Sequence, residues 1–194
     1  MAVRSYNQVA RAEATERTRR SILEAAQALF REEELYDLPL DAVAERADVS
    51  TRTLLRHFGS RERLFEEALA DAGSQVAAVR DATPGDLTRA IRRLIDHYEE
   101  MGDEVVRLIA AAERYPLARR AVEQGERIHR DWVREIFAAD LEPLGRPEGE
   151  RRLALLATVT DVYVWRLLRR GHGLDRKATE AAIRGLVEHA RASG

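Results

Sequence analysis

Between Ser50 and Arg63 the chain places Thr51, Arg52, Thr53, Leu55, Arg56 and His57, then Arg61, at spacings that bring them to the outer face of one short helix and the head of the next. They are hydrogen-bond donors, cations and one apolar group, the side chains suited to reading base edges in a DNA groove and gripping the phosphates beside it. Ser50 precedes them where a helix cap belongs. Its hydroxyl can accept from the amide of Arg52 or Thr53, and Val49 and Leu54 fall at the staple positions around it. That cap puts Thr51, Arg52 and Thr53 in the first turn, the part of such a helix that meets bases.

A second group is dispersed. Tyr98, Met101, His129, Trp132, Thr158 and Tyr163, with His97 beside them, come from three helical segments of the second half and could line a mostly apolar small-molecule cavity. Core packing is the alternative for each of them. Asp161 interrupts an apolar stretch and needs a partner: Arg166, an arginine of a second subunit, or a donor on a ligand. Glu126 and His129 form a single Glu-x-x-His, the spacing of carboxylate-bridged metals in bundles. Such a site wants a second copy and two further inward glutamates, so neither a metal nor a cofactor is expected. The sequence also lacks a glycine-rich phosphate loop, a nucleophile elbow and a zinc-binding helix motif, and no catalytic residue is assigned.

These groups must be held by helices. Leu40, Val43 and Ala44 make an apolar stripe at helical spacing, Ala47-Asp48-Val49 breaks it, and Leu54 and Phe58 restore it. Two short helices at a fixed angle, a helix-turn-helix, follow from that pattern. Spacings of three and four recur along the whole chain and no segment alternates for long, so the expected class is all-α.

In the second half the DATPGD loop at residues 81–86 is expected to supply Thr83 as a cap and Pro84 to a first turn. A fifth helix should run to about Met101, and Gly102-Asp103 should separate it from a sixth at Glu104 to Arg114. A seventh begins at Pro116, buries Leu117, Ala121, Gly125, Ile128, Trp132 and Ile136, and stops near Leu141. The eighth, about Pro147 to Arg170, is apolar nearly all round between Leu153 and Leu168, which calls for cover beyond its own domain and suggests a second subunit. Asp175 should cap a last amphipathic helix from Ala178 to Ala190.

The net charge of -2 over 194 residues does not favour a polyanion partner, but its distribution does. Arg52, Arg56, Arg61 and Arg63 face only Glu62 around the reading head, and Arg4, Arg11, Arg17, Arg19 and Arg20 gather near the start of the chain against Glu13 and Glu16. Lys177 is the sole lysine, and arginine is the better fork for phosphate and guanine. The absence of cysteine removes disulfide and thiolate chemistry and makes a reducing cytoplasm the expected setting. The first twenty residues lack the apolar core of a secretion signal, and no apolar run is long enough to span a bilayer, so no membrane role is expected.

From Thr15 to Ala70 the sequence resembles the TetR family of transcriptional regulators: ILEAAQALF (Ile22 to Phe30) resembles the core of the family's first helix, DAVAERADVS (Asp41 to Ser50) its second helix and turn, and TLLRHFGSRERLF (Thr53 to Phe65) its recognition helix and exit. DVYVWRLLRRGHGL resembles the family's dimer-forming region. The chain departs from the pattern at Leu55, where the family has tyrosine, at Asp48 and Glu34, where it has glycine, and at Pro39, where it has a serine or threonine. The resemblance implies a flexible arm at 1–14, a DNA-binding domain at 15–79 and a ligand-sensing, dimerising domain at 80–194, about nine helices in all. It implies a homodimer paired through its last two helices, bound to a palindromic double-stranded operator and released by a small, mostly hydrophobic effector, repression being the family's commonest mode. The other readings are an all-helical interaction module that binds no operator and a helical-bundle enzyme.

Overall fold

The protein's structure, a computed structural model, describes residues 2–31, 34 and 36–192, with side chains described from residue 11 onward. The expected arm at 1–14 overlaps the first helix, α1 (Ala2–Arg31), and the Arg4 side chain lies outside the described residues. Among the described residues every regular element is helical. The chain forms two compact units, one from the N-terminus through Ala72 together with Arg114–Leu117, the other Gly73–Glu113 with Ala118 onward.

In the first unit, α1 buries Ile22, Ala25, Ala26, Leu29 and Phe30, a stripe of threes and fours. It is covered by α2 (Leu40–Arg46), α3 (Thr51–Phe58) and the first part of α4 (Arg61–Val79), whose Val43, Ala44, Leu54, Phe58, Leu64, Phe65 and Ala68 are buried. Phe30 anchors this core, edge-on to Tyr36 at 5.3 Å and 5.4 Å from Phe65. Polar ties fix α1 against α4: the Gln27 amide donates to the Ala68 carbonyl and to Asp71, each at 2.9 Å, and Arg19 pairs with Glu67 while its guanidinium lies 4.6 Å over the Phe58 ring.

The second unit packs α5 (Leu87–Ala111) and α6 (Pro116–Ile136) with α8 (Arg146–Val159), α9 (Val162–Arg166) and α10 (Arg176–Ala192) around Ile91, Leu94, Ile95, Val133, Leu156, Trp165, Ile183 and Val187. A short α7 (Ala138–Leu141) follows α6. The helix expected to run from Pro116 to near Leu141 ends at Ile136 with its Gly125 exposed, and three further boundaries differ from expectation. Helix α5 has no break at Gly102-Asp103: a Cβ on Gly102 would lie 2.4 Å from Trp165 Cζ3, so this glycine admits an indole and does not end a helix. The cap of α5 is Asp86, whose carboxylate accepts from the Arg89 amide at 3.1 Å, with Thr83 in the preceding turn; a carboxylate there also answers the helix dipole.

The third difference is the eighth helix, which divides at Thr160-Asp161. The Thr160 hydroxyl turns back to the Leu156 carbonyl at 2.7 Å, and Asp161 then caps α9 by accepting from the Tyr163 amide at 2.8 Å. Asp161 thus finds its partner in the backbone of its own helix start, not in any of the three groups expected for it. Helix α9 runs on into a π-helical turn, Leu167–Gly171, and Asp175 accepts from the Ala178 amide at 2.7 Å to open α10. The Glu99 carboxylate receives Trp165 Nε1 at 3.0 Å and two bonds from Arg169, at 2.5 and 2.8 Å, joining α5 to the middle of the π-turn.

Candidate nucleic-acid interface and ligand cavity

Ser50 starts α3 as the spacing requires, its Oγ accepting from the Thr53 amide at 3.1 Å. The turn before it is closed by Val49 N donating to the Ala44 carbonyl at 2.9 Å. It is also strained in a specific way, since Asp48 has φ 53°, in the left-handed region, as does Glu34 at φ 54°. Both stand at positions where the resemblance noted above has glycine, the residue that adopts this conformation at no steric cost. Thr51 Oγ1 donates to Asp41 Oδ1 at 2.8 Å, clamping the head of α3 to α2. The turn and clamp make a rigid pair.

Leu54 and Phe58 are buried, so α3 turns Arg52, Leu55 and Arg56 to solvent, with Thr51, Thr53 and His57 half-buried beside them. Burial, then the neighbouring Arg56 and Arg19 cations, hold the His57 imidazole below its ordinary range, so it is neutral near pH 7. A neutral imidazole can still donate one N–H to a phosphate. Arg61 is exposed at the head of α4, with Nη1 donating to the Asp37 carbonyl at 3.0 Å and Nε 3.4 Å from Glu62. These bonds orient the guanidinium while leaving donors free for an anion. Sequence reasoning missed the Asp41 clamp and the Asp37 tether, because neither follows from helical periodicity.

The second unit contains an open cavity of about 810 Å³ whose lining includes His97, Tyr98, His129, Thr158 and Tyr163. Met101 and Trp132 do not line it. Trp132 is core, its ring 5.8 Å from His129 and stacked on it, with Nε1 donating to the Arg80 carbonyl at 3.2 Å. Glu126 reaches the rim, and no cluster of metal-ligating residues occurs among the described residues.

The cavity's polar wall is a chain of bonds. The Tyr98 hydroxyl donates to the Thr160 carbonyl at 3.0 Å, and His129 Nε2 lies 3.2 Å from the Ala157 carbonyl and 3.1 Å from Thr160 Oγ1. Arg80 Nη1 lies 3.3 Å from His129 Nδ1. Since arginine can only donate, Nδ1 accepts and Nε2 carries the proton. Burial and the Arg80 cation lower the His129 pKa to about 4, and burial, then Arg80 and His129, lower that of His97 to about 3. Burial pushes the Tyr98 phenol up to about 12. The buried part of the wall therefore contributes neutral donors and one permanent cation. Sequence reasoning overlooked Arg80, although it stands four residues after Val76, just past the end of α4.

Residues 22–68 match the family model described as bacterial regulatory proteins, tetR family. Among curated proteins no sequence matches the chain. Solved structures share its fold. A transcriptional regulator from Rhodococcus sp. Rha1 superposes with a TM-score of 0.62 at 19% identity, covering 89% of this chain and 95% of its own. A protein described as a TetR-family transcriptional regulator from Mesorhizobium loti MAFF303099 gives 0.59 at 23% identity, over 92% and 96%. No helix among the described residues is long and apolar enough to cross a membrane.

Proposed function

Because the chain carries, in residues 22–68, the domain of bacterial regulatory proteins of the tetR family, we propose that it is a ligand-responsive repressor that binds a palindromic operator as a homodimer and is released by a small, mostly hydrophobic molecule. Regulators of this family work by binding DNA and are not enzymes. The observation that carries the reading is α3: capped at Ser50, clamped by Thr51 to Asp41, and exposing Arg52, Leu55 and Arg56. In this reading Thr51, Arg52 and Thr53 meet base edges, while Arg56, His57 and Arg61 hold phosphates.

Dimer formation is supported by apolar side chains that the chain leaves uncovered: Leu155 on α8, Tyr163 and Leu167 along α9 and its π-turn, and Leu186 on α10 are all exposed. A twofold pairing through these last helices would bury them against their own copies. Helix α4 supplies the link to the effector. Its first half is buried in the DNA-binding unit at Leu64, Phe65 and Ala68, and its last turn contributes Val76 to the cavity, with Arg80 just beyond. Two recognition helices must stay ~34 Å apart to enter successive major grooves, so a ligand that prefers another setting of α4 lowers operator affinity by its own differential binding.

The test is selection of bound fragments from genomic DNA by the purified full chain, followed by release assays with apolar compounds. A palindromic motif released by at least one compound that also raises Tm is expected. Recovery of fragments with no shared motif contradicts operator binding.

A further inference from the structure

Arg80 is 5% exposed, yet no carboxylate pairs with it among the described residues. Its guanidinium sits 5.1 Å from the Tyr98 ring centroid, Nη1 is spent on His129, and the buried Nε has no acceptor at all. A buried cation is costly unless an anion answers it, and arginine cannot shed its proton to escape that cost. The charge lies on the wall of a cavity that is otherwise chiefly apolar.

We propose that this cavity takes a monocarboxylate with a hydrophobic body, its carboxylate bonded to the Arg80 guanidinium and its body lying along the apolar wall formed by Val105, Leu108, Ile109 and Val162. The proposal rests on the effector reading above and gives that effector its chemical class. A carboxylate fits better than a phosphate because Arg80 is the single buried cation of the cavity, and Asp161 on the same wall disfavours a second negative charge. Tyr98 and His129 support the head without competing for it. Both are held neutral, and their N–H and O–H donors are already committed to the Thr160 and Ala157 carbonyls. Arg80 is thus the buried cation of the wall with a donor to spare.

The experiment is calorimetric titration of the purified full chain with matched pairs: dodecanoate against dodecanol, and 1-naphthoate against 1-naphthalenemethanol, with dodecyl phosphate as a third headgroup. The carboxylate of at least one pair should bind about tenfold or more tighter than its alcohol, and more tightly than the phosphate. Arg80→Gln should bring acid and alcohol to similar affinity, while Arg80→Lys retains part of the preference. The wild-type comparison stands even if a variant fails to fold. Equal binding of acid and alcohol by the wild type overturns the carboxylate assignment and leaves the apolar cavity intact, as does an acid preference unchanged in a folded Arg80→Gln. Tighter binding of dodecyl phosphate overturns the choice of headgroup. If no probe of either kind binds at millimolar concentration, the effector reading falls with it.

Discussion

Gly102 on α5 lies against the face of Trp165 on α9, so close that any Cβ would penetrate the indole at Cζ3. The indole is fully buried and its Nε1 is bonded to Glu99 one turn earlier on α5, so it has no room to withdraw. Gly102→Ala should therefore destabilise the second unit by about 1 to 3 kcal/mol, read as a lower midpoint in urea denaturation. Unchanged stability would show that the two helices can part freely.

The opposite sign is expected at Asp48. With φ in the left-handed region and no side-chain bond to compensate among the described residues, replacement by glycine removes backbone strain of about 1 kcal/mol. Asp48→Gly should raise Tm without altering the fold of the turn. A fall in Tm would mean that the carboxylate contributes something the geometry does not reveal.

Stability should also decline in mild acid because of the buried histidines. Their folded pKa values, about 3 for His97 and about 4 for His129, lie below the unfolded value of 6.5. Between pH 6.5 and 4 the unfolded chain binds protons that the folded chain refuses, so each histidine subtracts roughly 1 kcal/mol per pH unit as pH falls through that window. Denaturation midpoints measured from pH 7 to 4 should show the slope, and His129→Gln should flatten it in part. A profile identical to wild type would place His129 in contact with water.

These effects show which parts of the molecule could be read in advance. The helix-turn-helix was legible because its signals are local: a cap at Ser50, apolar residues at three and four, and a break of fixed length. The division of the eighth helix was not, since it depends on Thr160 bonding back to Leu156 and meeting His129 from another helix. Gly102 misled for a related reason. Glycine marks a helix end in sequence, whereas here a ring distant along the chain but in direct contact requires it. Arg80 was hidden because a lone arginine normally lies at the surface, and only tertiary packing buries this one.

Dimer formation has its own test at Leu167, 58% exposed on the π-turn. Val164 and Leu168 pack partly into the core, so they are poorer sites for a charge. Leu167→Asp should leave the fold and Tm nearly unchanged yet shift sedimentation to the monomer and weaken operator binding steeply, because a monomer makes half the contacts. A dimer as stable as wild type would move the interface elsewhere.

The central claim, that α3 reads DNA, is tested most directly by titrating the recovered operator with wild type, Arg52→Ala and Arg61→Ala across a range of salt concentrations. Arg61→Ala should weaken binding to all sequences alike and lower the salt slope by about one. Arg52→Ala should cost ~1 to 3 kcal/mol at a single base position and relax the preference there. If both variants bind operator and unrelated DNA with the affinities and salt slopes of the wild type, α3 is not the reading element and the account is wrong.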